Sequence, residues 1–356
     1  MRHTLSFLPR FPIERPPLTN NLNDQLSSYL SARFPDAVVS NIKFLVSGFE
    51  SEIYAFHFQA PSYPSVQNEY ILRLLTGEGA AVKLRREAIA LSFLQQAGYP
   101  VPGLLLQEPQ ANILGKPFEI IEKLEGQALW PVLATAAPGQ VKELLSEFGL
   151  LLRQLHQLDW RACTPDADGL EKAPHALLED VISQYRALYT QYHLTGFLQV
   201  VNWLDAHRHA IIVQPAIVHQ DFHANNVLLC PDQLRVIDWT QFAISDFRID
   251  LCWTLLIMGD FGDPDWARQI FEAYVSDRNT PLEQLDFFHA IVSMKLLAST
   301  VIAFTFSPED VGLRPEALTL TKAQLAIYHH LAQRLRNITG VTIPELTKML
   351  THYDGI

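Results

Sequence analysis

Cysteine is nearly absent: Cys163, Cys230 and Cys252 are the only three in 356 residues, and no two stand in a C-x-x-C spacing. That excludes a disulfide framework and a cysteine zinc knuckle, and it suits a reducing compartment, so a cytoplasmic location is expected. Basic charge is also short. Lys and Arg total 27 against 38 Asp and Glu, a formal net charge of −11, which argues against nucleic acid as a partner and towards a cationic or metal-bridged one. Charged residues make up only 18% while apolar ones reach 48%, a balance that excludes intrinsic disorder and suits a well-buried globule. Neither an internal repeat nor a low-complexity tract occurs. Long apolar runs are scarce too. The first seventeen residues carry Arg2, Arg10 and Arg15 and build no signal-peptide core. The best candidate for a membrane span, 288–306, has Lys295 near its centre and His289 near its start. It is expected to be a buried helix, with no membrane as partner.

What is present is a change of pattern along the chain. Leu22, Leu26, Leu30 and Phe34 recur at helical spacing ahead of Pro35, which predicts an amphipathic leader helix. The stretches 42–46, 53–58 and 70–75 are rich in aromatic and branched residues and read as consecutive antiparallel strands. Ala81, Leu84, Ala88, Leu91 and Leu94 then share one stripe that stops at Gly98 before Pro100. This predicts a glycine-ended helix over 80–98 with Glu87 inside the apolar stripe. Two more strands are expected at 104–106 and 118–121. Beyond Gly126 the patterns lengthen into helices, with a longer helical stretch expected over about 176–207. Short strands at 227–229 and 234–237 flank the turn Pro231-Asp232-Gln233. The fold class expected is α+β: an antiparallel sheet with one long helix in 1–124, and a mostly helical part in 125–356.

The chemistry concentrates in Val218-His219-Gln220-Asp221-Phe222-His223-Ala224-Asn225-Asn226-Val227, followed by Ile237-Asp238-Trp239. An apolar strand runs into a polar loop, and a hairpin then returns Asp238 to the same neighbourhood. Asn226 follows Asp221 by five residues, and Asp238 comes twelve later. An ionised carboxylate in a loop can orient a hydroxyl and accept its proton, while an amide oxygen and a second carboxylate suit hard Mg²⁺. This order and spacing match the kinase arrangement.

His219-x-Asp221-x-His223-x-x-Asn226 followed by Ile237-Asp238-Trp239 resembles the aminoglycoside phosphotransferase and choline kinase family, small-molecule relatives of protein kinases. The likeness extends over roughly 42–256. It implies a two-lobed protein-kinase-like fold and an enzyme that moves the γ-phosphoryl group of ATP or GTP to a hydroxyl of a small molecule, with Mg²⁺ as cofactor. It implies Asp221 as the residue that orients the acceptor, Asn226 and Asp238 as Mg²⁺ ligands, and Arg73, held by Glu87, as the cation on the phosphates. Ile120-Ile121-Glu122-Lys123-Leu124 looks like the hinge between lobes, with backbone groups of Glu122 and Leu124 on the adenine edge. Ser47-Gly48-Phe49-Glu50-Ser51 looks like the loop over the phosphates, with Ser47, Gly48 and Ser51 as its contacts. Asp250 looks like the structural acid that caps the following helix. His219 is expected to bond the loop backbone, and His156 to be structural.

Three positions depart from the family pattern. Arg73 stands where many kinases carry Lys, the phosphate loop has a single glycine, and Gln220 replaces the Gly common before the catalytic Asp. Nothing in the sequence accounts for Gln220. The acceptor is left open among antibiotics, choline-like amines, sugars and amino alcohols. Asp246, Asp260, Asp263, Asp265 and Glu272 follow Asp238 in sequence; if their charge reaches the cleft, a cationic acceptor is expected.

Two other functions compete. His219, Asp221 and His223 alternate in steps of two, so on a strand they would share a face and could hold zinc or iron, as in a metal-dependent hydrolase. That leaves Asn226, Asp238 and the Arg73–Glu87 pair without a role. A non-catalytic nucleotide-binding protein of kinase fold is favoured by Arg73 and the glycine-poor loop. Trp239, Trp253 and Trp266 could line a substrate pocket or fill the core.

Overall fold

The computed structural model describes residues 20–47, 51–63, 68–77, 79–164, 167–277, 282–311, 318 and 324–354. Among these, the chain divides into two compact units: 20–128 together with Val227–Phe242, and Leu129–Asn226 together with 243–354. The hairpin that follows the polar loop therefore belongs with the strand-rich part of the chain.

In the strand-rich unit, β1 (Val38–Ser47), β2 (Ser51–Gln59), β3 (Asn68–Leu75), β4 (Leu104–Glu108) and β5 (Phe118–Glu122) form an antiparallel sheet in the order β1-β2-β3-β5-β4. The pleat puts Tyr54, Phe56, Phe58, Tyr70, Leu72, Leu74, Phe118 and Ile120 into one core with Leu26, Tyr29 and Leu30 of α1 (Asn20–Ser31). Alternation then sends Arg73 and Glu119, direct cross-strand partners on β3 and β5, to the opposite face. Helix α2 (Ala80–Gln96) begins after Gly79 and is followed by Gly98, both left-handed at φ 78° and 72°. Its inward stripe buries Leu84, Leu91, Leu94 and, among them, Glu87. A second sheet joins β6 (Gln127–Ala128), β8 (Val227–Leu229) and β9 (Leu234–Val236) in the order β6-β8-β9.

The other unit holds α3 (Leu129–Thr135), α4 (Pro138–Gln157), α5 (Ala167–Lys172), α6 (Ala176–Gln191), α7 (Thr195–His207), α8 (Phe247–Asp260), α9 (Pro264–Val275), α10 (Leu285–Thr305), α11 (Leu325–Thr339) and α12 (Pro344–Asp354). Strands β7 (Pro215–Val218) and β10 (Ala243–Asp246) pair antiparallel beside them. The stretch 176–207 is two helices rather than one. His193 is left-handed (φ 53°) and the Leu194 amide returns to Tyr189 O at 2.9 Å, a Schellman stop that an unbroken apolar pattern concealed. Helix α10 is long and apolar enough to cross a membrane, but 89% of its most apolar window is buried inside the protein, and every residue from Ala290 to Ala303 is buried. Gly149 lets α4 and α9 approach closely, since a Cβ there would stand 2.7 Å from Ile270 O. That approach brings His156 of α4 to Tyr274 of α9.

Candidate active site

The loop after β7 is fixed from beneath by one carboxylate of α8. Asp246 caps this helix, accepting from the Arg248 amide at 3.0 Å. Asp250, expected as the cap, instead sits in the first turn and turns to the loop. Its Oδ2 accepts from the His219 amide at 2.7 Å and its Oδ1 from the Gln220 amide at 2.8 Å. His156 supports it from behind, Nε2 lying 3.3 Å from Asp250 Oδ2 and Nδ1 2.8 Å from the Tyr274 hydroxyl. Gln220 is left-handed at φ 64°, a conformation costing a non-glycine residue roughly 1–2 kcal/mol. Its carbonyl accepts from Lys295 Nζ at 3.2 Å. Phe222 is anchored by Phe148 of α4, ring centroids 4.9 Å apart, and by Thr254 Oγ1, which donates to its carbonyl at 2.8 Å.

Asp221, at the bend, is only 2% exposed. Its Oδ1 accepts from Trp253 Nε1 at 3.1 Å, and its Oδ2 and backbone carbonyl accept from Asn226 Nδ2 at 3.2 and 3.0 Å. The carboxylate is thus aimed by two N–H donors, and Trp253 is neither pocket wall nor mere core. His223 Nδ1 accepts from the Asn225 amide at 3.2 Å, which leaves the proton on Nε2, 3.4 Å from Asp221 Oδ1. Residues 219–226 form a loop with no strand, so the shared face that a His219–Asp221–His223 metal site requires does not exist. The metal-hydrolase expectation fails on that geometry.

The strand-rich unit assembles a second cluster around Arg73. Nη1 donates to Glu87 Oε1 and Oε2 at 2.9 and 2.7 Å, and Nη2 to Asp238 Oδ1 at 3.1 Å. Asp238 is left-handed (φ 68°) and also accepts from Thr240 Oγ1 at 3.0 Å. The Trp239 amide donates to Glu87 Oε1 at 3.1 Å, tying the hairpin's end to α2. A third acid, unmarked by any motif, joins them. Glu119 is fully buried, 3.5 Å from Arg73 Nη1. Its signal was one charged residue inside an apolar strand, Phe118-Glu119-Ile120-Ile121.

Burial opposes the charge on Arg73, but the surrounding carboxylates outweigh it and raise its pKa further. Burial and the adjacent Glu87 charge push the Glu119 carboxyl well above its usual range. Glu87 accepts three N–H bonds that favour its charged form, whereas neither side-chain oxygen of Glu119 has a hydrogen-bond partner among the described residues, so burial bears more heavily on the charge of Glu119. A raised folded-state pKa adds stability that is fully present below the unfolded value of about 4.5 and lost as pH rises through the folded one. Glu119→Gln, neutral at every pH, should therefore gain on the parent in urea-unfolding free energy between about pH 5 and pH 8. A constant difference would place the proton elsewhere.

The remaining expected residues fall as follows. Glu122 ends β5; its amide donates to Gly103 O at 2.7 Å, and its Oε2 accepts from the Gly103 amide at 3.0 Å. Leu124 lies just beyond, outside regular secondary structure. Ser47 ends β1 and Ser51 opens β2, while Gly48, with Phe49 and Glu50, lies outside the described residues. Asn226 and Asp238 fall in different units. The acids expected to lend charge to a cleft are engaged by neighbouring groups. Asp246 binds Arg248, Asp260 binds Arg334, Asp265 and Glu272 bind Arg268, and Asp263 caps α9. That pairing offsets part of the charge on which the expectation of a cationic acceptor rests.

A model of the phosphotransferase enzyme family matches residues 41–287. The mouse (Mus musculus) acyl-CoA dehydrogenase family member 10 is 26% identical over 183 residues, which is 50% of this chain and 17% of that protein. The chain thus spans about a sixth of that curated relative. Among solved structures, a Ralstonia eutropha protein assigned to the aminoglycoside phosphotransferases superposes with a TM-score of 0.64 at 17% identity, covering 88% of this chain and 98% of that one. The ADP-bound aminoglycoside phosphotransferase APH(2'')-Ib superposes with a TM-score of 0.54 at 16% identity, covering 90% and 99%. At such identities these structures show the protein-kinase-like fold. The family match spans most of the chain, including the Asp221–Asn226 loop, the Arg73 cluster and the strand end at Glu122, and the chain belongs to the phosphotransferase enzyme family.

Proposed function

We propose that this chain is a small-molecule kinase that transfers the γ-phosphoryl group of ATP or GTP to an alcohol. The observation that carries this reading is the Asp221 carboxylate, aimed by Trp253 and Asn226 in a loop whose backbone is bonded to Asp250. So held, Asp221 orients the acceptor hydroxyl and takes its proton. Arg73, braced by Glu87, positions the phosphates, and Ser47, Gly48 and Ser51 belong to the segment that covers them. Glu122 meets the nucleobase through its carbonyl, because its N–H already donates to Gly103, and Leu124 adds its backbone.

The donor set suits Mg²⁺. Asn226 commits its amide nitrogen to Asp221, so its oxygen is the atom for a cation, and Asp238 supplies a carboxylate; an amide oxygen and a carboxylate are each donors that favour a hard ion over zinc. Bound there, the ion would neutralise charge on the phosphate oxygens. Asn226→Ala and Asp238→Ala should each weaken Mg²⁺-dependent ATP binding, Asp238→Ala more, since it supplies the charged ligand. Calorimetric titration with and without Mg²⁺ measures this; unchanged affinities in both variants would refute the assignment.

A cytoplasmic setting accords with the three free cysteines. The acceptor is a small hydroxyl compound of open charge. A non-catalytic nucleotide binder is the second reading, favoured because both terminal nitrogens of Arg73 are held by carboxylates. The test is nucleotide consumption over a panel of matched cationic, neutral and anionic alcohols, with mass detection of the phosphorylated product. Nucleotide binding without product on any acceptor would favour the second reading.

A further inference from the structure

Gln220 is held at both of its peptide groups by buried charges of opposite sign. Asp250 takes the N–H at 2.8 Å and Lys295 Nζ reaches the carbonyl at 3.2 Å. The rotations between those two groups are the φ and ψ of Gln220, so gripping both ends fixes the left-handed turn that precedes Asp221. We propose that Lys295 is a positioning residue of this reaction, whose ammonium holds the Gln220 carbonyl and so keeps the Asp221 carboxylate in line. The proposal rests on the kinase reading for its consequence in turnover.

The surroundings of Lys295 argue against a packing role. It stands in the middle of α10, 5% exposed, within a run of buried residues from Ala290 to Ala303. A charge there is costly to desolvate, and an apolar side chain of similar length would fill the space without that cost. Burial accordingly lowers its pKa, while the Asp221 and Asp250 carboxylates favour the charged form. Its ammonium also lies 4.3 Å over the ring of Trp253, the indole that donates to Asp221 Oδ1 at 3.1 Å. Lys295 therefore touches two groups that set the position of Asp221, the preceding carbonyl and the Trp253 indole, while Asn226 holds the carboxylate independently. It also explains why a residue other than glycine is tolerated at 220: the conformation is imposed from outside rather than left to local preference.

The test is a double-mutant cycle of Lys295→Met and Gln220→Gly. Methionine keeps length and volume but loses the ammonium, whereas glycine adopts φ 64° without strain. Lys295→Met should lower kcat about ten- to a hundredfold in the parent, the scale of a small misplacement of a catalytic group. Its nucleotide KM should stay within about twofold, because no nucleotide contact is touched. In the Gln220→Gly background the same substitution should cost less than about threefold. Equal losses in the two backgrounds would overturn the proposal, as would parental kcat in Lys295→Met. Lys295→Gln, which retains a donor, serves if the methionine variant does not fold, and it should keep more activity in the parent than Lys295→Ala. Crystal structures of the variants give a readout independent of substrate. Gln220 should leave the left-handed region in the lysine variants, and an unmoved Gln220 refutes the clamp. If the parent transfers no phosphoryl group, the kinase reading fails while the crystallographic arm still decides the clamp.

Discussion

Asp221→Asn is expected to keep the fold and nucleotide affinity while losing about 10²- to 10⁴-fold in turnover. The change removes the charge that accepts the hydroxyl proton, and it also disturbs aim. Trp253 Nε1 and Asn226 Nδ2 each donate to a different carboxylate oxygen, and an amide offers only one acceptor, so one donor must face an NH₂ group. The buried site has little room for water to repair this, since Asp221 is 2% exposed. Steady-state kinetics on an acceptor found in the panel, paired with a thermal melt, separate the chemical loss from unfolding. Near-parental turnover would end the assignment of Asp221.

Arg73→Met should have the largest effect on stability. Glu87, Glu119 and Asp238 all lie against this guanidinium, whose side chain is 12% exposed. Removing one partner of a buried ion pair typically costs about 3–5 kcal/mol, because the remaining charge is left uncompensated. The loss should depend on pH. Without the cation, the folded-state pKa of Glu87, already raised mainly by burial, moves further above its unfolded value. The variant is then least compromised below about pH 4.5 and increasingly so as pH rises through the folded value. Urea unfolding at pH 5 and pH 8 measures the difference. Arg73→Lys should fall between, as an ammonium can meet Glu87 but cannot fork to Asp238. A deficit below about 1 kcal/mol at pH 8 would show that the acids do not depend on Arg73.

Much of this was legible wherever a local period carried the information. The strands of the first sheet and helix α2 follow from alternation and from an apolar stripe, and Glu87 stood out because it interrupts that stripe. The Asp221–Asn226 spacing sufficed to find the loop. What escaped depends on contacts between distant positions. The acid that holds the loop is Asp250, thirty residues beyond Gln220, and nothing in the spacing separates it from the true cap, Asp246. Lys295 was visible as a lone charge in an apolar run, but its partner lies 75 residues away. Glu119 becomes meaningful only through the register that places it opposite Arg73. The pairing of Asp265 and Glu272 with Arg268, by contrast, was available from helical spacing of three and four, and weighing it would have tempered the expectation of a cationic acceptor.

The left-handed Gln220 also constrains the order in which sequences related to this one can change. With the ammonium in place, position 220 is free to drift between glycine and larger residues, because the clamp supplies what glycine supplies by itself. On the proposed clamp, a larger residue at 220 makes the lysine necessary: losing Lys295 first gives a slow enzyme, whereas placing glycine at 220 first does not. Positions 220 and 295 are thus coupled through one carbonyl, and on the proposed clamp a change at one alters what the other can tolerate.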